Sequence, residues 1–441
     1  MNNEVDDWIL PKSDHRSKAV SKIIVGVLNC SGLKANQDLP KLPYYRGKWN
    51  AKTFESFRKE VLTQNWYKPQ TGRSLFESIL AQNRYLIQNN PGNSVSEKMY
   101  GTEFSSNRGA LHGLLCPDLF GKNTFLFYKI EDHYKLSFED TFLNSESDEP
   151  RNQSNSVEEN KENLIEKHIL GKAVEAFLAL TENELIGCDQ NNKRKEELMD
   201  CNNITNILTK FCLNSSNYPA TKFLMASDVD LFAELVEKLT DLEPIEVKSI
   251  KHGKYVSQDV KLGKDQREKW TMQMNAVNCK RIIIFRHNDE FKVGSMSEKS
   301  LSNLNAPTCN YVDLANIFYR FKEEYEKIKD KESIHYLRIT VDENGKFEYS
   351  DNTKIFNQQI ITCIQKIQES MKLNKPDLTT TSTPPTKNQN KIKQNKTKQN
   401  KTKQNKTKQN KTNLLPTIAE NDKKTPGSQH SRSTIDSRAS A

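Results

Sequence analysis

The sequence predicts a mixed α/β (α+β) fold, and three observations carry that prediction. Residues 222–230 (KFLMASDVD), 244–250 (PIEVKSI) and 281–286 (RIIIFR) are short, β-rich runs, alternating or wholly apolar. Residues 164–180 and 311–329 repeat apolar residues at helical spacing. From Pro376 on, the chain turns Thr/Pro-rich and then repeats Gln-Asn-Lys-Thr-Lys from Gln394 about four times. A segment of that composition has no apolar area to bury and is expected to be a disordered basic tail.

The elements follow in order. Residues 1–40 mix short apolar runs (IIVGVLN) with polar turns. Residues 50–100 read as mostly helical, with Phe54, Phe57, Val61 and Leu62 near one face and Leu75, Ile79, Leu86 and Ile87 near another. Residues 125–130 and 133–138 read as a hairpin split by Glu131-Asp132. Residues 144–162 lack large apolar residues except Val157, and 183–203 are again polar, so both are expected as mobile insertions. A helix is expected over 164–180, with Gly171 permitting close packing. After the two strands at 222–230 and 244–250 come a helix over 265–277 and a buried strand over 281–286. A turn at His287-Asn-Asp-Glu leads to a partner strand from Phe291, and an amphipathic helix covers 311–329. A hairpin turns around Glu343-Asn-Gly, and a last helix covers about 353–372. Residues 1–375 are expected to form a single catalytic domain.

Charge is divided unevenly along the chain. Residues 376–441 hold fourteen Lys/Arg against four Asp/Glu, while the whole chain is +9, so the body is near −1. A near-neutral body binds nucleic acid only through a local basic groove. The tail reads either as a solvated spacer or as a set of lysines that meet phosphates without sequence choice. Eight cysteines are scattered with no CxxC pair, which argues against a zinc site. The acidic N-terminus (MNNEVDDWILPK) has no apolar signal core, and no apolar run approaches the ~20 residues of a membrane span. The expectation is a protein of the nucleus or cytoplasm that is not secreted, keeps reduced thiols and makes no membrane contact. The NKT triplets of the tail then carry no glycans.

The chemistry concentrates in residues 228–248. On a strand alternate side chains share a face, so Asp228 and Asp230 pair on one side, as do Glu246 and Lys248, while Val229, Ile245 and Val247 point to the core. Two adjacent strands would then present three carboxylates and an ammonium to one spot. Carboxylates about 4 Å apart repel by roughly 4 kcal/mol per pair at an effective dielectric near 20, more than Lys248 offsets. Hard divalent cations remove that repulsion, and two of them suit phosphoryl displacement. Lys248 would orient the attacking water or a phosphate oxygen, and Gln273 on the following helix would hydrogen-bond either one. The Glu-x-Lys element alone is weak, since Glu159-Asn160-Lys161 has the same form in a polar loop. The residues therefore leave open a D…ExK nuclease-like metal site or a salt-bridged surface sheet. His112, His168 and His252 lack ligand spacing, and Trp270 is read as core.

With its flanks included, the chain resembles the DXO/RAI-like family of decapping and 5′-end-processing exoribonucleases. The resemblance rests on Asn107-Arg108-Gly109 running to Leu-Leu-Cys116, Gly171-Lys172-Ala173-Val174-Glu175, Asp228-Val-Asp230, Glu246-Val-Lys248-Ser, Lys269-Trp270-Thr-Met-Gln273 and Ile282-Ile-Ile-Phe-Arg286, in that order over about residues 20–365. It implies two central mixed sheets flanked by helices. It implies metal-dependent hydrolysis at RNA 5′ ends: removal of incomplete caps or caps such as NAD, pyrophosphate release from triphosphate ends, and 5′→3′ digestion. Glu175, Asp228, Asp230, Glu246 and the Val247 backbone carbonyl would hold Mg²⁺ or Mn²⁺, with Glu139 an alternative to Glu175. Lys248 and Gln273 would be catalytic and would contact substrate, and Arg108 would bind substrate phosphate. The partner implied is RNA with a modified or uncapped 5′ end; some relatives also pair with a 5′→3′ exoribonuclease, and this chain itself is expected to be a monomer. Three departures stand out: Asp228 replaces a usual Glu, Asn107 a usual Trp, and Lys172 an apolar residue. Asp228 keeps a second reading open, a member that binds RNA ends or a partner protein without turnover; a third reading is a DNA nuclease of the broader D…ExK type.

Overall fold

Thirteen strands among the described residues sort into two sheets. In chain order they are β1 (Lys22–Ser31), β2 (Lys34–Asn36), β3 (Phe104–Asn107), β4 (Asn123–Ile130), β5 (His133–Phe138), β6 (Asn203–Leu213), β7 (Thr221–Asp228), β8 (Leu231–Phe232), β9 (Pro244–Lys251), β10 (Arg281–His287), β11 (Val293–Ser300), β12 (Tyr336–Val341) and β13 (Phe347–Asp351). The structure is a computed structural model that describes residues 22–47, 49–150, 161–186, 192–213, 218–251, 262–304, 311, 313–328, 334–351 and 357–372. The expected tail, residues 376–441, and the stretch 151–160 lie outside the described residues, as does His252.

The larger sheet has the order β13-β12-β4-β5-β3-β7-β6-β1-β2, and the smaller β11-β10-β9-β8. Both are mixed: β3 runs parallel to β5 and β7, and β9 runs parallel to β10, with antiparallel neighbours outside them. Period-2 alternation explains the layering. Phe125 and Phe127 of β4 face one core with Tyr134, Leu136, Phe223 and Met225, while Leu126 and Tyr128 face another. The first core also takes Ile282 and Ile284 of β10, so it fills the space between the sheets. The second is closed by the helices Gly72–Asn89 and Gln358–Ser370. A third packs Ile245, Val247, Ile283 and Phe285 against the helices Ala51–Gln64 and Lys161–Ala179. Each fully buried side chain of this kind contributes roughly 1.5–3 kcal/mol.

Local signals hold where they were expected. Glu131 adopts φ 53° in the turn between β4 and β5. Gly345 adopts φ 79° in the β12–β13 turn, which Asp342 closes by accepting from the Lys346 and Asn344 amides. The last helix is shorter than expected, Gln358–Ser370, and Asn357 caps it.

Four expectations change. The strands carrying Asp228 and Glu246 are not adjacent: β7 belongs to the large sheet and β9 to the small one, because β8 turns the chain out of the first sheet into the second. Residues 183–203 are not simply a polar insertion, since they form the helices Glu182–Ile186 and Asn192–Met199. The second is held by Lys195, 1 % exposed, whose ammonium reaches both oxygens of Glu60 at 2.9 and 3.0 Å. Leu62 points to solvent, 48 % exposed, because its helix buries the neighbouring stripe instead. Gly171 does not serve close packing: a Cβ there would meet nothing within 4 Å, and the residue lines an open cavity.

The large sheet is covered on both faces, so β5 buries a polar row, His133, Lys135 and Ser137. His133 Nδ1 donates to the Thr102 carbonyl at 2.9 Å, which leaves Nε2 to accept from Ser105 Oγ at 2.7 Å. Burial, then the Lys135 charge, lowers this imidazole to about 3, whereas an unfolded histidine titrates near 6.5. The folded state therefore excludes a proton that the unfolded state takes up below pH ~6.5. The stability of the wild type over His133→Gln is predicted to be complete above that pH. Below it the advantage falls by about 1.4 kcal/mol per pH unit. Urea unfolding at pH 7.5 and 5.0 should show the gap narrowing by about 2 kcal/mol; a constant gap would contradict a neutral buried His133.

Candidate functional site

The site lies where the ends of β3 and β7 face β9. Arg108 opens the helix Arg108–Leu115, and Asn107 caps it by accepting from the Ala110 amide at 2.7 Å. The Asn that departs from the family pattern thus has a local role: it fixes the backbone that aims Arg108. Replacing such a cap costs about 1 kcal/mol. Arg108 Nη1 reaches Glu246 Oε2 at 3.5 Å, and Lys248 bonds the other Glu246 oxygen. Glu246 is 2 % exposed. Burial would push its carboxyl up, but Lys248 and Arg108 outweigh burial and hold it below the usual range, so it is ionised.

Asp230 follows the end of β7 in a bend, and its Oδ2 accepts from the Val247 amide at 2.7 Å. Burial, then Glu246 and Glu175, push it up to about 8. Asp230 is an acid that its surroundings keep protonated, the mark of a carboxylate set short of positive charge. Asp228 ends β7 opposite Asn206 and is exposed. Glu175 comes from the helix Lys161–Ala179, where Lys172 Nζ bonds its Oε2 at 3.1 Å. Burial would lower the Lys172 ammonium, but Glu175 and Cys201, then Asp230, raise it. Lys248 is likewise raised against burial, by Glu246 and Asp230, and Arg108 by Glu246, Asp228 and Asp230.

Two cavities meet here. One of about 700 Å³ is lined by Glu175, Asp228, Asp230, Lys248, Lys172 and His168. The other, about 250 Å³, is lined by Arg108, Asp228 and Gln273 among others. Asp228 lines both. Gln273, on the helix Lys264–Ala276, holds its Oε1 buried without a hydrogen-bond partner, an acceptor aimed at no protein donor. Trp270 of the same helix is core.

The structure therefore brings Glu175, Asp228, Asp230, Lys248, Arg108 and Gln273 to the walls of these cavities, with Glu246 buried against Arg108 and Lys248. It does not bring Glu139 there: both Glu139 oxygens are held by Arg338, at 2.7 and 2.9 Å. Among the described residues no three His, Cys, Asp or Glu side chains are gathered as ligands. Lys172, Lys248 and Arg108 occupy the carboxylates instead. The donor set still suits a hard divalent cation, because all its side-chain donor atoms are oxygen and a cation there would relieve the burial and the Glu246 and Glu175 charges that keep the proton on Asp230. His112 is a buried side chain bonded to Tyr311 Oη at 3.0 Å and is lowered to about 3, mainly by burial.

Two residues escaped the sequence reading. Lys172 was visible only as a misfit in an apolar position. Lys135 was hidden in the hairpin, where HxKxS alternates with the aromatic row and reads as a solvent face. If Lys172 stands in for positive charge, Lys172→Leu should tighten Mn²⁺ binding about tenfold, ~1.4 kcal/mol, by titration calorimetry. Unchanged or weaker binding would contradict that account.

No protein-family profile matches the sequence, and no curated protein matches it. Solved structures do. Rai1 of Scheffersomyces stipitis in complex with (3′-NADP)+ and calcium ion superposes with a TM-score of 0.54, at 13 % identity over 82 % of this chain and 100 % of that one. A second structure of that protein gives 0.55 with 82 % and 100 % coverage, again at 13 % identity. Candida albicans Rai1 in complex with pU5-Mn2+ gives 0.55 at 13 % identity over 83 % and 99 %. No helix among the described residues is long and apolar enough to cross a membrane. Two mixed sheets flanked by helices, matched along nearly the whole length of the Rai1 chains, give this protein the fold of the DXO/RAI-like family.

Proposed function

We propose that this chain hydrolyses phosphate bonds at RNA 5′ ends with the help of divalent cations. The observation that carries the reading is the seam itself: Asp230 and Glu246 buried beside Arg108, Lys248 and the unsatisfied Gln273, in a fold whose Candida albicans Rai1 example is in complex with pU5-Mn2+. Asp230 and Glu246, with Glu175, Asp228 and the Val247 carbonyl, are the residues to hold Mg²⁺ or Mn²⁺. Such a cation supplies Lewis-acid polarisation of a phosphoryl oxygen.

The remaining roles follow from the side chains. Lys248 is held protonated by the ionised Glu246, so it acts as a fixed positive charge toward a phosphate oxygen or the attacking water and not as a base. Gln273 accepts a hydrogen bond from that water through its free Oε1 and so orients it. Arg108 lines the smaller cavity near Asp228 and binds the phosphate next to the bond that breaks. RNA with a modified or uncapped 5′ end is the substrate class.

A second reading is favoured by Asp228, exposed and one methylene shorter than Glu, and by Lys172 on Glu175: a protein that binds RNA ends without turnover. One assay separates the two. The protein is incubated with 5′-triphosphate, NAD-capped and 5′-monophosphate RNAs and Mg²⁺ or Mn²⁺. We expect product from at least one, with Glu246→Gln and Lys248→Met slower by about a hundredfold or more. No product from any RNA, with wild type equal to Glu246→Gln, removes the hydrolase reading. RNA binding without product, converted to turnover by Asp228→Glu, establishes the second.

A further inference from the structure

The smaller cavity runs past Arg108 to a place the mechanism does not use. It continues under the helix Gly72–Asn89, lined there by Leu75, Ser78, Ile79, Gln82 and Lys135. We propose that this end is a phosphate subsite, in which Lys135 receives the outer phosphate of a 5′-polyphosphate RNA end. The inference rests on the RNA-end reading above and names the substrate feature it selects.

Lys135 is 7 % exposed, and its ammonium donates to Asn83 Oδ1 at 2.7 Å. Among the described residues no carboxylate forms an ion pair with it, in contrast to Lys172, Lys195 and Lys248. Burying an ammonium against a neutral amide alone is unfavourable, and such a charge is kept where an anion arrives to meet it. Burial alone lowers Lys135, to about 8, which an incoming anion would reverse. Asn83, fully buried, does not line the cavity and only anchors the ammonium from behind. Lys135 does line it, with ammonium donors to spare that suit phosphate oxygens.

Position and size agree. Lys135 lies opposite Ser105 in the parallel β3–β5 register, and Arg108 follows three residues later, about 10 Å along the strand direction. A triphosphate is shorter than that backbone interval, and the long Lys135 and Arg108 side chains make up the difference at its two ends. The cavity, about 250 Å³, is below the ~300–1,000 Å³ of ordinary small-molecule pockets, so it takes a phosphate tail and not a base.

The test uses the full chain and inorganic tripolyphosphate without metal, at physiological salt, in wild type, Lys135→Met and Lys135→Arg. Calorimetry should show affinity at least tenfold weaker in Lys135→Met and largely restored in Lys135→Arg. Binding to the lysines of residues 376–441 is common to all three and drops out of the comparison. With 5′-triphosphate RNA, Lys135→Met should raise KM about tenfold with little change in kcat, and shift KM for 5′-monophosphate RNA less than threefold. Equal tripolyphosphate affinity in wild type and Lys135→Met overturns the subsite, and RNA hydrolysis in that same wild type leaves the hydrolase reading standing. Lys135-dependent tripolyphosphate binding without RNA hydrolysis keeps the subsite and removes the hydrolase. Loss of binding in both variants together with a lowered Tm shows Lys135 to be structural and overturns the inference.

Discussion

The structure depends on one buried charge arrangement, Glu246 between Arg108 and Lys248. Glu246 and Lys248 belong to β9 of the small sheet, and Arg108 follows β3 of the large one, so the pair spans the two sheets. The apolar core between the sheets supplies the bulk of the attraction, yet apolar contact is indifferent to small slips. A buried carboxylate is not: removing one partner leaves a charge whose cost is about 3–5 kcal/mol. The Asp230–Val247 bond adds a second fixed point, tying the end of β7 to the backbone of β9.

The same arrangement sets the chemistry. Holding Glu246 ionised consumes two cations, and Lys172 is drawn to Glu175, yet Asp230 is still forced to keep its proton. The site is thus negative enough to take up further positive charge, while Arg108, Lys248 and Lys135 keep its walls attractive to phosphate. Glu175, Asp230 and Lys248 line the larger cavity, Arg108 and Lys135 line the smaller, and Asp228 lines both.

Much of this was legible in the sequence, for definite reasons. Alternation placed Ile245 and Val247 in the core and Glu246 and Lys248 opposite them, because period 2 survives any sheet order. Sheet membership was not legible: Asp228 and Glu246 look like neighbours along the chain, and only the two-residue β8 reveals that the strands part company. Long-range partners hid the rest. Lys195 is read as solvated until Glu60 is seen beside it, and Glu139 competes with Glu175 until Arg338 claims it. Lys135 sits on a strand covered on both faces, so its polar row is interior, which no local pattern reports. The fold, carried by many short periodic elements, was read more fully than the site, which is made by side chains from five distant segments.

In the proposed function Asp230 and Glu246 form an acid pair that takes up a divalent cation. The direct measurement is anomalous scattering from crystals of the protein soaked in Mn²⁺. The prediction is a manganese peak at coordination distance, about 2.0–2.6 Å, from carboxylate oxygens of both residues, with Lys172 or Lys248 displaced from its present partner. A well-ordered seam without that peak, or with manganese bound elsewhere, would contradict it.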